Sequence, residues 1–366
     1  MSLRVALLGP SRNPVVEPFA GGQEAHVATL ARALRSRGCH VRLYAAAGTD
    51  SGLADELVTH PAMPTLSATA RVDPQLPEPA FLRDQHAFLF VVGDLLARRD
   101  VDVVHNSSLH HLPLVAASAL GRPLVTTLHT PPFPWMEVGV SLTDPRTRMV
   151  AVSADLAARW TTLARPATVI HNGVDVERFP AGPGGSELVW VGRLVPEKGP
   201  ELAVQAARSA GRPLRLIGPV PDPAWFEARV QPLLGVDITY EGHLDHDATA
   251  TVVGKSAALL VTPRWPEPFG LVAVEAALTG TPVVALGRGG LPEVLGPGLG
   301  VTVTVPTAPT EGEAQDDRLV QGLVGGVDRI AELDRDTVRA VARSHFGADL
   351  MAERYERVYQ EAVAAW

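Results

Sequence analysis

Pro266-Glu267-Pro268-Phe269-Gly270-Leu271-Val272-Ala273-Val274-Glu275 is the stretch that decides the fold. It lies between two short apolar runs, 258–262 and 282–286, each bounded by turn residues and each read as a strand. Strand, loop, helix and strand in that order are the repeating unit of a parallel α/β sheet. The helix is predicted to begin near Phe269, because Pro268 fixes the entry, and to stop at Gly280. Gly270 lets a ligand come close to the backbone. The amides of Gly270, Leu271 and Val272 then point outward at the positive end of the helix dipole, an arrangement that binds phosphate. Glu275, two turns deeper, can reach hydroxyls, while Glu267 stays on the loop near whatever lies beyond the phosphates. A sugar carried on a nucleotide diphosphate suits this layout. The competing reading is a surface loop before an amphipathic helix with one buried, paired glutamate.

The same alternation extends in both directions. Strands are expected at 4–9, 40–45, 102–105, 124–129, 149–152 and 168–172, with helices near 23–37, 80–99, 109–120 and 154–164. The segment 61–79 carries Pro61, Pro64, Pro74, Pro77 and Pro79 and reads as an irregular loop. At 178–186, Arg-Phe-Pro-Ala-Gly-Pro-Gly-Gly-Ser, the composition is that of a linker. A second series follows, with strands at 188–192, 214–218, 237–240, 258–262, 282–286 and 300–303. Its helices fall near 199–210, 223–234, 246–254, 270–279 and 318–332, and a last helix covers about 347–364. The fold class is therefore α/β, with two parallel-sheet domains, 1–177 and 178–346, facing a central cleft. Ligands of open parallel sheets sit beyond the carboxyl ends of the strands.

Composition narrows the function. The 366 residues are 46% hydrophobic, enough for two ordinary cores, and the formal net charge of −8 argues against a general nucleic-acid binder. Residues 1–175 hold 15 basic and 15 acidic groups; the remainder holds 17 and 25, so the excess negative charge lies in the second half. Cys39 is the only cysteine, which fits a reducing cytoplasm. The chain runs from Met1 straight into a strand pattern, leaving no room for a signal peptide, and no apolar run approaches a membrane span. Arg32, Arg35 and Arg37 give the first helix a basic end, a small argument for a membrane surface.

Other candidates stand at strand ends. Gly21-Gly22-Gln23-Glu24 opens the first helix, where two glycines admit an anion or simply make a tight turn; no dinucleotide fingerprint follows the first strand. Gly192-Arg193-Leu194-Val195-Pro196-Glu197-Lys198-Gly199 places Arg193 and Lys198 on one strand-to-helix loop, where together they can neutralise a diphosphate or instead pair with Glu197. Lys198 is one of only two lysines. His129 and His105 each end a strand; His129 can contact a transferred sugar, and His105 is better suited to ordering loops. His105, His110 and His111 lack the acidic or cysteine partners of a metal site. His171-Asn172-Gly173-Val174-Asp175 reads as a structural turn. Gly218, Pro219 and Leu244 can line a base pocket, and Gly287-Arg288-Gly289-Gly290-Leu291-Pro292-Glu293 is read either as a further anion-facing turn or as one whose Arg288 is solvated.

Taken in order, these pieces resemble the family-4 retaining glycosyltransferases of the GT-B fold, over about residues 4–360. The resemblance rests on Gly21-Gly22-Gln23-Glu24, the turn at His171, the loop from Gly192-Arg193 to Lys198-Gly199, the Glu267…Glu275 pair around Pro268-Phe269-Gly270, and Gly289-Gly290 with Glu293. It implies Rossmann-like domains and a last helix, 347–366, that crosses back to the first domain. It implies that Arg193 and Lys198 hold the donor diphosphate, that Glu267 meets the sugar and Glu275 the ribose. Gly22 would approach the phosphates, and His129 would lie beside the sugar. Two departures stand out. Residues 130–148 are short and proline-rich where relatives carry a longer helical insertion, and Arg264-Trp265 replace a small polar residue.

The expected reaction is transfer of a sugar from a nucleotide diphosphate, UDP-sugar first and GDP-mannose next, to a hydroxyl of a small-molecule, glycan or lipid acceptor. No cofactor and no metal are expected, since the leaving phosphate itself can take the acceptor proton. The rival readings are a GT-B nucleotide-sugar epimerase, a non-catalytic nucleotide-sugar binder, and a glycoside hydrolase using Glu267 and Glu275. The last leaves two cationic phosphate ligands without a purpose.

Overall fold

The computed structural model describes residues 2–296, 298–306 and 313–366. It divides into two compact units. The first comprises Met1–Val152, Leu156–Ile170 and Met351–Trp366; the second comprises Ser153–Asp155 and His171–Leu350. The change of unit at Ile170 falls a few residues before the linker-like segment.

The first unit is built on β1 (Arg4–Leu8), β2 (His40–Ala45), β3 (Glu56–Thr59), β4 (Val103–Asn106), β5 (Leu124–Leu128), β6 (Arg148–Ala151) and β7 (Thr168–Val169). Every pairing is parallel, in the order β3-β2-β1-β4-β5-β6-β7. The second holds β8 (Leu188–Val191), β9 (Leu214–Ile217), β10 (Ile238–Tyr240), β11 (Ala258–Val261), β12 (Val283–Leu286) and β13 (Gly300–Val303), again all parallel, in the order β10-β9-β8-β11-β12-β13. Both are Rossmann-like. In each, strand order reverses beside the first strand, between β1 and β4 and between β8 and β11, which is where open parallel sheets bind ligands beyond their carboxyl edge. Strands covered on both faces are apolar throughout: all of Val283–Leu286 is buried.

The edge strand β3, Glu-Leu-Val-Thr, is absent from the sequence reading. It is only half-buried and polar at both ends, so it lacks the apolar run that marks an inner strand. The expected helix at 109–120 shrinks to Leu112–Ala116, because Leu109 takes a left-handed conformation with φ 61°. The proline-rich stretch 130–148 contains a helix, Pro134–Leu142, whose proline occupies a first-turn position where no amide partner is lost. Helices at Leu291–Leu295 and Arg335–Phe346 were also not foreseen.

Segment 178–186 is not a free linker. Gly182 N–H donates to Thr279 O and Gly184 N–H to Gly254 O, both at 2.9 Å. A Cβ at Gly182 would lie 2.2 Å from Gly254 O, so glycine serves here to let two backbones touch.

The terminal helix Ala348–Ala364 returns to the first unit from Met351 onward. Its buried Tyr355 and Tyr359 enter a polar network beneath the sheet. His105 is held at both ring nitrogens, by Tyr359 Oη at Nδ1 and Thr127 Oγ1 at Nε2, each 2.7 Å, and Tyr355 Oη bonds Thr127 Oγ1 at 2.9 Å. Burial pushes the His105 pKa well below its usual value, so the ring is neutral and structural.

Candidate active site

The second unit gathers most of the expected donor residues at its strand-order reversal. The loop after β8 carries Arg193 and Lys198; the loop after β11 carries Glu267. Because β8 and β11 are neighbours, the two loops meet and are stitched together. Arg264 N–H donates to Glu197 O at 2.8 Å, and Thr262 Oγ1 donates to Gly199 O at 2.8 Å. Gly199, at φ 60°, permits this: a Cβ there would lie 2.3 Å from Thr262 O. Across the joint, Lys198 Nζ donates to Glu267 Oε2 at 2.6 Å, and the indole Nε1–H of Trp265 donates to the same oxygen at 3.1 Å. A partly buried, charge-assisted bond of that length fixes both side chains. Arg193 lies outside this contact. It is exposed and only approaches Glu197, at 3.8 Å.

Beyond Glu267 the helix begins at Leu271 with Gly270 as its cap, at φ 87°, and runs to Leu278. The amides of Gly270, Leu271 and Val272 have no acceptor among the described residues. Glu267 and this helix start are adjacent, since a Cβ at Gly270 would sit 3.7 Å from Glu267 Cγ. The turn at Gly289-Gly290 supports the loop from behind. Gly290 N–H donates to Glu267 O at 2.8 Å, and a Cβ at Gly289 would lie 2.1 Å from that oxygen.

Glu275 is partly exposed on the same helix, and no hydrogen bond satisfies its carboxylate among the described residues. Burial raises its pKa from an ordinary 4.5 to about 7, with Arg178 pulling it back only in part. The Phe269 side chain is 2% exposed and lies in the core beside His171 and Phe346, so it anchors the loop and leaves ligand contact to the backbone. At the end of β9, Gly218 takes φ 140°; a Cβ there would overlap Gly192 O, and Tyr240 Oη donates to Gly218 O at 2.8 Å. Pro219 and Leu244 are both half-buried.

Gly21, Gly22 and His129 belong to the first unit. The helix Gly22–Ser36 opens at the Gly21 cap, but Glu24 reaches back, its Oε2 3.3 Å from where a Gly21 Cβ would stand. An internal carboxylate therefore already faces this helix start. His129 Nε2 bonds Ser107 Oγ at 2.8 Å, and the His26 ring meets its edge at 4.7 Å. Burial, then His26 and His105, hold its pKa well below the usual range, so His129 is neutral at pH 7.

Further residues support these loops: Ser153 was not singled out in the sequence, while Glu293 and Arg264 were, without the contacts they make here. Ser153 Oγ donates to Pro268 O at 2.6 Å, and Glu293 accepts from Ala154 N–H at 2.7 Å and from His171 Nε2–H at 2.5 Å. The turn at His171 thus buttresses the 266–270 loop. Arg264 makes a two-pronged pair with Asp316, both contacts 2.9 Å. Among the described residues no group of three His, Cys, Asp or Glu is placed to hold a metal ion, and no helix is long and apolar enough to cross a membrane.

Residues 20–178 match the model of Glycosyltransferase Family 4, and residues 177–315 that of Glycosyl transferases group 1. The chain is 29% identical to a glycogen synthase of Mycobacterium tuberculosis, over 80% of each protein. It is 26% identical to D-inositol 3-phosphate glycosyltransferase 2 of Catenulispora acidiphila, over 98% of this chain and 95% of the other. Its fold is similar to sucrose-phosphate synthase from Thermosynechococcus elongatus, with TM-score 0.75, 21% identity and full coverage of both chains. Anabaena HepE in complex with UDP and glucose superposes with TM-score 0.70 at 18% identity, over 98% of this chain and 100% of the other. With two Rossmann-like units and both family models in sequence, the chain belongs to the family-4, group 1 glycosyltransferases of the GT-B fold, which move a sugar from a nucleotide donor.

Proposed function

We propose that this chain transfers a sugar, with retention of anomeric configuration and without a metal ion, from a UDP-sugar or, second, from GDP-mannose, to an acceptor hydroxyl. The observation that carries the reading is the Lys198–Glu267 contact beside three amides that lack acceptors among the described residues, all at one strand-order reversal. Bond breaking at the anomeric carbon builds negative charge on the diphosphate. Lys198, Arg193 and the amides of Gly270, Leu271 and Val272 are positioned donors for that charge. Glu267, released from part of its pairing when phosphate engages Lys198, accepts from sugar hydroxyls. Glu275 accepts from the ribose, and Gly218, Pro219 and Leu244 take the base. The leaving phosphate oxygen removes the acceptor proton on the face it vacates, which gives retention without a separate carboxylate base. Neutral His129 offers a hydrogen bond to the transferred sugar, and Gly21 and Gly22 offer only close backbone approach, since Glu24 already faces that helix start.

A panel of UDP-, GDP-, ADP- and TDP-sugars, scored by thermal shift and by donor hydrolysis in EDTA, tests the donor and the metal. Lys198→Ala is expected to lower turnover about 10²–10³-fold. Turnover near wild type in that variant would remove Lys198 from the mechanism. NMR of the donor incubated alone separates transfer from epimerisation.

A further inference from the structure

The first unit carries a column of aromatic rings that donor binding does not use. From the core outward, Phe88 stacks on His110 with centroids 4.2 Å apart, His110 on His111 at 4.6 Å, and His111 on Trp135 at 5.4 Å. Phe81 adds a tilted contact to Trp135 at 5.3 Å. Phe88 is fully buried, whereas Trp135 is 52% exposed. The column therefore ends in an indole with one face backed by a ring and much of its surface open.

Its placement is rigid. A Cβ at Gly139 would lie 2.9 Å from His111 Cβ, so the helix Pro134–Leu142 is seated directly on the histidine. Leu109 is kept at φ 61° by the bonds around it: Asn106 Nδ2 donates to His110 O at 3.2 Å, and His110 N–H to Ser108 Oγ at 3.3 Å. Backbone strain of this sort persists where the surroundings over-determine a loop, and it clusters at ligand sites. The two loops involved leave the carboxyl ends of adjacent β4 and β5, and they are the loops that hold His129, through Ser107 Oγ. A fixed aromatic anchor with few rotatable bonds loses little entropy when a ligand covers it.

We infer that Trp135, backed by His111 and edged by Phe81, is the acceptor platform, and that the acceptor carries beside its reacting hydroxyl an uncharged ring with a flat apolar face. This rests on the transferase reading above. Val138 and Leu142, exposed on the same helix, continue the apolar surface past the indole and favour an aryl ring over a bare sugar. A lipid surface fits less well, because the helix Pro-Trp-Met-Glu-Val-Gly-Val-Ser-Leu has Glu137 as its one charge and no cation for anionic headgroups.

Saturation-transfer NMR with phenyl β-D-glucoside and methyl β-D-glucoside on the full chain tests the platform. Wild type should saturate the aryl protons and bind the phenyl compound about tenfold more tightly than the methyl one. Trp135→Ala should erase that preference and Trp135→Phe should keep it, with the thermal unfolding midpoint unchanged in both. An equal preference in Trp135→Ala overturns the proposal. So does an effect of that variant only on co-sedimentation with phosphatidylglycerol vesicles, which would make the patch a membrane contact. Donor hydrolysis missing from wild type itself would instead count against the transferase reading, and the two failures are thus told apart.

Discussion

Glu275 carries a carboxyl whose protonation departs from that of an ordinary glutamate. Its carboxyl is raised to about 7 by burial, so the folded chain favours the protonated form. A raised carboxyl pKa takes stability away as pH climbs from 4.5 toward 7, and the deficit is constant above that. Glu275→Gln, neutral at every pH, should therefore unfold about 1–3 kcal/mol later than wild type at pH 8 and no later at pH 4, measured by urea denaturation. Ribose hydroxyls donating to the carboxylate would lower its pKa, so nucleotide binding at pH 7 should release a fraction of a proton. Calorimetry in two buffers of different ionisation heat reads that release, and Glu275→Gln should abolish it. Lys198 and Glu267 were legible in the sequence because each follows an apolar strand at a position where parallel sheets bind ligands. The contacts of Trp265, Ser153 and Glu293 were not, although Trp265 and Glu293 were themselves singled out in the sequence. Their roles depend on which loops end up adjacent, a long-range outcome that no local pattern encodes.

At the scale of elements, the terminal helix shows how a polar network sets a docking geometry. Tyr359→Phe removes the partner of His105 Nδ1 and leaves a buried ring nitrogen unsatisfied. That should cost about 1–3 kcal/mol in the first unit's stability, with donor hydrolysis little changed. Thr127→Val should cost a similar amount, and the double variant less than the sum, since both changes act on one histidine. The strands were readable because burial on both faces demands continuous apolar runs. The helix Pro134–Leu142 was not, because Pro134 follows Pro131 and Pro132, and proline marks both loops and first helical turns. Segment 178–186 misled for a related reason: glycine marks flexible chain and also marks backbones in contact, and here Gly182 and Gly184 do the second.

For the whole molecule, the last residues complete the first unit instead of trailing from the second. Deleting 351–366 uncovers the surface that Tyr355, Val358 and Tyr359 cover and strands the buried His105. The shortened chain should lose the cooperative thermal transition of its first unit, bind a hydrophobic dye, and keep the second unit's transition; calorimetry with dye fluorescence checks all three. There is a consequence for synthesis in the cell. Translation delivers β1 to β7 early, yet the partner of His105 leaves the ribosome only at the very end. Throughout elongation the amino-terminal half must wait unfinished, its apolar face open to chaperones, and a premature stop codon within the final helix would harm the half of the protein made first.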